Sequence, residues 1–174
     1  MIGGDSAGTS GWTLCIQTNP KVFTLQAGRF VIGFTTSFRM GQLLQFCFEP
    51  PAHPEGMDAL EYMVRDFTSA VRQCLKDGGF ATKDKEQESG GIFLVGYMGR
   101  LFRIESSYQV IEPLCGWIAT GCGEDIAMGA IEGQLIASRE RDYEWILRQA
   151  MQVTERNNAG VRGPFHVVTG GAKA

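Results

Sequence analysis

Two residues of opposite charge stand sixteen positions apart near the start of the chain, Asp5 in Gly3-Gly4-Asp5-Ser6-Ala7-Gly8 and Lys21 in Lys21-Val22-Phe23. Each sits at the edge of an expected strand. Between them run a short alternating stretch, Trp12-Thr13-Leu14-Cys15-Ile16, and a turn at Thr18-Asn19-Pro20. An acid and a base so placed could meet across a hairpin. A lysine held by a carboxylate away from water is one way to assemble proton-transfer chemistry. The alternative is an ordinary solvated surface pair.

Other residues with chemical potential carry weaker patterns. Gly4-Asp5-Ser6-Ala7-Gly8 matches G-x-S-x-G, but a nucleophile elbow needs a full strand before its serine and a helix directly after it. Here Thr9-Ser10-Gly11 follows, a turn, so Ser6 is not read as a nucleophile. Gly121-Cys122-Gly123 imitates a dinucleotide fingerprint, but Ile126 occupies the place of its third glycine. Cys122 is then either a thiol activated at a helix N-terminus or a small residue fitted into a tight turn. The five cysteines are odd in number and lack C-x-x-C spacing, so they read as reduced thiols of a cytoplasmic protein. His53 and His166 lie beside prolines or at strand ends, and neither reads as a metal ligand. No metal and no cofactor is expected.

The elements that must position these residues follow from periodicity. A chain of 174 residues suits one domain, 1–174, with a sizeable core. Its net charge of −3 argues against nucleic acid as a partner, no apolar run is long enough for a membrane helix, and the first residues carry no signal-peptide pattern. Phe30-Val31-Ile32-Gly33-Phe34-Thr35 reads as a buried strand. Thr36-Ser37 caps a helix from about Phe38 to Phe48, and a second helix runs from about Met57 to Lys76. Thr82 to Gly91 reads as a charged, solvated loop. Ile92–Tyr97 and Arg100–Ile104 form a hairpin, and Gln109–Ile111 and Gly116–Thr120 are further strand pieces. Helices follow over about Glu124–Ala137 and Arg141–Arg156, and Phe165–Val168 is a last strand. This order is not alternating βα, which disfavours a parallel doubly wound sheet and fits an α+β domain with two antiparallel sheets between helical layers.

Four pieces in this order resemble the proteasome β-subunit family, and most its bacterial, HslV-like branch of ATP-dependent peptidases. They are Gly3-Gly4-Asp5 with Lys21-Val22, then Val31-Ile32-Gly33-Phe34, then Val110-Ile111-Glu112-Pro113 with Gly116-Trp117-Ile118-Ala119, and last Gly121-Cys122-Gly123 with Ala127. The resemblance covers nearly the whole chain. It implies the αββα four-layer sandwich of the N-terminal-nucleophile hydrolases and a threonine-type endopeptidase of a self-compartmentalising ring. It implies Lys21 beside the nucleophile, Asp5 holding that lysine, and Cys122 where the family carries a serine near the threonine amine. A backbone N–H of Thr35 or Thr36 would form the oxyanion hole. Peptide or unfolded-protein substrates, a homo-oligomeric ring and an ATP-dependent unfoldase are the implied partners.

Two departures accompany the resemblance. The family's threonine would fall roughly twelve residues before Met1, on a first strand of which Ile2-Gly3-Gly4 is the stump. The chain as written therefore lacks the nucleophile. Glu155 to Gly160 offers Asn157, Asn158 and Ala159 where many members support the amine with an aspartate and a serine. The competing expectations are a non-catalytic ring or scaffold subunit and an amidase-like relative acting on a small substrate. Tyr62 and Phe67, with Trp145 and Ile146, are either ring-facing aromatics or core.

Overall fold

The computed structural model describes residues 1–80, 82–84, 87–137 and 142–171. Its strands are β1 (Ile2–Gly4), β2 (Ala7–Ser10), β3 (Thr13–Ile16), β4 (Val22–Leu25), β5 (Phe30–Phe34), β6 (Thr82–Asp84), β7 (Gln87–Ser89), β8 (Phe93–Tyr97), β9 (Arg100–Ile104), β10 (Val110–Ile111) and β11 (His166–Val168). Its α-helices are α1 (Phe38–Phe46), α2 (Ala59–Tyr62), α3 (Thr68–Asp77), α4 (Glu124–Ala137) and α5 (Tyr143–Asn157).

β5 is buried along its whole length, as a continuous apolar run with no polar face requires. It pairs antiparallel with both β4 and β8, inside a five-stranded sheet of order β10-β9-β8-β5-β4. One face of this sheet packs against α1 to α3 through Phe30, Ile32, Met40, Leu44, Phe67 and Leu75. Burying each such side chain contributes about 1.5–3 kcal/mol, so this is the main core. On the other face β1 pairs with β11, Ile2 opposite Val168, and Ile2 packs on Val22, Val31 and Leu94. The approach there is close: a Cβ on Gly33 would lie 2.6 Å from Cγ2 of Ile2. α4 and α5 pack on each other through Ile131, Ile146 and Ala150, and α5 lies against β1. The order across the molecule is helices, five-stranded sheet, the β1–β11 pair, helices.

Helix starts follow their caps. Ser37 accepts from the N–H groups of Arg39 and Met40, and Asp142 accepts from that of Trp145. Asp58 accepts from Leu60 N, which sets the start of α2 at Ala59 and not at Met57. The expected single helix over 57–76 carries a π-helical turn at Met63–Phe67, where Thr68 Oγ1 donates to Met63 O at 2.6 Å. The expected helix start at Arg141 lies outside the described residues.

Two expectations are corrected, and one open alternative is decided. Residues 82–91 are not a plain loop, because β6 and β7 pair antiparallel, Thr82 opposite Ser89; residues 85 and 86 lie outside the described ones. Gly116–Thr120 forms no strand, since no neighbouring strand offers it a ladder, and Ala119 O instead accepts from Arg103 Nη1 at 3.3 Å. Tyr62, Phe67 and Ile146 are core, at 0%, 0% and 3% exposure, so of the four aromatic or apolar candidates for an outer surface only Trp145 is exposed. His53 is fixed as a structural residue, with Nδ1 on Tyr97 Oη at 2.7 Å and Nε2 on Met57 O at 2.9 Å. Among the described residues no helix is long and apolar enough to cross a membrane.

Candidate active site

Asp5 follows β1 directly and Lys21 immediately precedes β4. The hairpin of β2 and β3 leaves the body between them, with Ala7 paired to Ile16 at its base, and this brings the two ends together. Lys21 Nζ lies 2.7 Å from Asp5 Oδ1, and both side chains are largely shielded, at 14% and 16% exposure. The other carboxylate oxygen, Oδ2, accepts from Ala7 N at 2.8 Å and from Arg162 N at 3.2 Å. Lys21 is also held through its backbone, since Phe34 N donates to Lys21 O, and its Nζ stands 5.6 Å from the centroid of the Phe38 ring. The pair is therefore fixed from four sides, unlike a solvated surface bridge.

A cavity of about 160 Å³ adjoins the pair. Its walls include β1 on one side, residues 118–123 on another, Val22, Gly33 and Leu94 of the large sheet, and Leu147, Ala150 and Met151 of α5. β1 uses one edge for β11, and among the described residues no strand pairs with its other edge. Thr120 Oγ1 is shielded from solvent and has no partner among them either. An unpaired strand edge, an apolar lining and an orphaned hydroxyl together outline a slot suited to one further extended segment.

A wider cleft of about 600 Å³ shares Lys21, Thr35, Thr120, Gly121, Cys122 and Glu124 with that cavity. It runs between the β2–β3 hairpin and residues 34–38, so Thr36 and Ser37 also line it. The two candidate donors here are in different states. Thr35 N already donates to Ile92 O at 3.1 Å, while no acceptor among the described residues meets Thr36 N–H. Thr36 has φ +72°, left-handed backbone that a β-branched side chain enters at a cost. Its Oγ1 accepts from Ile92 N at 3.4 Å, a long bond. Thr36→Gly should therefore raise stability by about 1 kcal/mol, the relieved strain of about 1–3 kcal/mol exceeding glycine's extra unfolded-chain entropy. Thermal melts of the two proteins check this. A loss of stability would mean that the Oγ1–Ile92 bond outweighs the strain.

The turn at Gly121-Cys122-Gly123 closes the site opposite Lys21. Gly121 has φ +105°, and a Cβ on it would stand 2.9 Å from Thr35 Oγ1, so only glycine fits. Cys122 is exposed. Its carbonyl accepts from Asn158 Nδ2 at 2.7 Å, and Asn158 Oδ1 accepts from Gly160 N at 2.8 Å. Asn158 thus orders the Cys122 turn, whereas Asn157 bonds within its own helix to Val153 O. Glu124 is ion-paired to Arg103, which also pairs with Glu105 at 2.7 Å.

All five residues singled out from the sequence line this region, and Asp5, Lys21, Thr35 and Cys122 share one cavity. Sequence reasoning named Asn158 only as a departure from the family pattern, and missed its bond to the Cys122 turn, the Arg162 amide on Asp5, the roles of Glu124 and Thr36's conformation. Arg162 N carries no sequence signal at all, being a main-chain group 157 positions from its partner.

This geometry and topology define a class: the chain is structurally similar to proteasome β-like proteins, with the N-terminal-nucleophile hydrolase fold. No protein-family model matches the chain, and no curated protein matches it in sequence. Among solved structures, Thiobacillus denitrificans BPH in complex with epoxomicin superposes with TM-score 0.76 at 17% identity, over 94% of this chain and 88% of that one. HslV from Trypanosoma brucei gives TM-score 0.64 at 20% identity over the same shares. A chain of the Pseudomonas aeruginosa Anbu complex, solved as a helical assembly, gives 0.54 at 16% identity, over 94% of this chain and 73% of that one.

Proposed function

We propose that this chain is a proteasome-like N-terminal-nucleophile hydrolase subunit, a threonine-type endopeptidase that cuts peptides or unfolded proteins. The observation that carries the reading is the shielded Asp5–Lys21 pair beside a slot shaped for one extended segment. A strand in that slot would complete the second sheet of an αββα sandwich and deliver its terminal residue to Lys21.

The chemistry combines the groups present with a terminal threonine that such a strand would bring. A threonine hydroxyl at the end of the slot attacks the substrate carbonyl carbon, and its proton passes to the threonine's own α-amino group. The Lys21 ammonium stabilises the developing alkoxide, and Asp5 keeps Lys21 in place. As the carbonyl π bond breaks, the oxyanion takes a hydrogen bond from Thr36 N–H, the donor left uncommitted. The ammonium formed at the terminus then protonates the leaving amine, and the C–N bond breaks to give an ester. Water, deprotonated by the same amine, hydrolyses that ester. Cys122, a weak donor, and the Asn158-ordered turn flank the amine. A homo-oligomeric ring, an ATP-dependent unfoldase and a cytoplasmic setting belong to the same reading. Of these, only assembly into an oligomer has support by analogy of fold, from the Anbu complex solved as a helical assembly.

The test uses a chain lengthened at its N-terminus to present a free threonine in the slot. It should hydrolyse fluorogenic peptides, and its threonine-to-alanine counterpart should not. It should also bind epoxomicin, as the Thiobacillus protein does. Neither turnover nor epoxomicin binding would overturn the peptidase reading, and turnover of small amides alone would replace it with an amidase.

A further inference from the structure

We propose that Ser6 is a positioning residue that sets the orientation of Asp5, and through it of Lys21. The significance for catalysis rests on the reading above; the geometry does not. Ser6 is 1% exposed and joins three separate pieces of chain. Its N–H donates to Arg162 O at 2.8 Å, its Oγ–H donates to Pro164 O at 2.7 Å, and its carbonyl accepts from Gln17 N at 2.9 Å. The first two bonds tie residues 162–164 to the end of β1, and the third closes the base of the β2–β3 hairpin.

Residues 162–164 matter because they supply half of what fixes Asp5 Oδ2. That oxygen accepts from two amides, Ala7 N and Arg162 N. Ala7 is a local donor, two positions away. Arg162 is remote, and its place depends on whatever anchors its segment. Its anchors include Ser6, the pairing of β11 with β1 from His166 onward, and Glu155, whose Oε1 accepts from Gly163 N and whose carbonyl accepts from Arg162 Nη1. Glu155 holds the segment toward α5, and Ser6 holds it toward Asp5. With both amides on Oδ2, the carboxylate cannot rotate, and Oδ1 is left to face Lys21 Nζ alone. Removing the Ser6 hydroxyl takes its donor from the carbonyl of Pro164, an exposed residue, which then turns to water and draws its segment with it. The Arg162 amide then leaves Oδ2.

A buried hydroxyl that merely stabilises would lower the melting temperature and leave the Asp5 contacts alone, so the test reads those contacts. The probe is the 174-residue protein itself, 15N-labelled, in four forms: parent, Ser6→Ala, Ser6→Thr and Asp5→Asn. Amide protons bonded to a carboxylate resonate downfield, and Asp5→Asn marks where those of Ala7 and Arg162 fall without the charge. In Ser6→Ala the Arg162 amide should move toward its Asp5→Asn position and exchange with solvent about tenfold faster, while Ala7 should hold. Ser6→Thr, which keeps the hydroxyl, should restore both. Should Ser6→Ala fail to fold, Ser6→Cys, nearly isosteric with a weak donor, should show the same displacement in part. An Arg162 amide unmoved in the alanine or cysteine variant overturns the proposal. In the lengthened chain, Ser6→Ala should lower kcat and leave KM unchanged. The amide result stands apart from hydrolysis, so a shifted Arg162 amide together with a lengthened chain that never turns over would sink the peptidase reading and leave the Ser6 role intact.

Discussion

In a chain lengthened to place a free N-terminal threonine beside Lys21, Lys21→Ala is expected to lower kcat/KM for peptide hydrolysis on the order of 10²–10⁴-fold, the range for loss of one positioned acid–base or electrostatic group. The 174-residue chain is expected to show none of this turnover. The magnitude follows from the absence of a substitute. Glu124, the other charged group common to both cavities, has the wrong sign and is already paired to Arg103. Lys21 Nζ is held by one carboxylate oxygen and shielded to 14% exposure, so its charge acts with little screening by solvent. Lys21→Met, which keeps the length of the stem, should lose as much as the alanine variant, because the charge carries the effect. Turnover within twofold of the parent in both variants would mean that Lys21 is a spectator. Fluorogenic peptide assays at saturating and limiting substrate separate the two outcomes.

What could be read from the sequence was what depends on local pattern. The apolar β-branched run Phe30–Phe34 could only be a buried strand, and Ser37 before Phe38 announced α1 because its hydroxyl reaches two amides nearby. The Asp5–Lys21 contact was also legible, since a turn-rich hairpin between two strand edges brings its ends together. Elements that depend on a distant partner were not legible. Trp117-Ile118-Ala119 has strand composition, yet it forms no ladder while the slot beside it holds no strand, because β pairing is a property of two segments and not of one. The reverse holds for 82–84 and 87–89, where polar composition reads as loop but the two segments pair as strands. Tyr62 and Phe67 differ again: both lie on the stripe facing the sheet, and the π-helical turn beginning at Met63 lets that stripe stay on the core. Within the site, side chains were foreseen, and of the main-chain groups only the Thr35 or Thr36 amide, which came with the resemblance. The committed Thr35 N–H, the free Thr36 N–H and the Arg162 amide on Asp5 exist only once the fold is closed.

Asp5→Ala is expected to destabilise the 174-residue protein by about 3 kcal/mol, the lower end for breaking one side of a shielded ion pair. Three donors lose their acceptor at once: the Lys21 ammonium, Ala7 N–H and Arg162 N–H. An uncompensated charge is the largest of these penalties. Lys21→Met should cost less, about 1 kcal/mol, because Asp5 Oδ2 keeps both amides and only Oδ1 is left without its partner. The double variant Asp5→Ala/Lys21→Met should then be more stable than the sum of the two losses predicts, by a coupling of about 1–3 kcal/mol, since the second substitution removes the charge that the first one stranded. Asp5→Asn should fall between the parent and Asp5→Ala, as its amide oxygen still accepts from the two N–H groups but brings no charge to Lys21. Urea denaturation at pH 7 of the parent, the two single variants and the double variant measures the cycle directly. A cost for Asp5→Ala below about 0.5 kcal/mol would reduce the pair to a solvated surface bridge. That result would remove the fixed lysine on which the proposed chemistry depends.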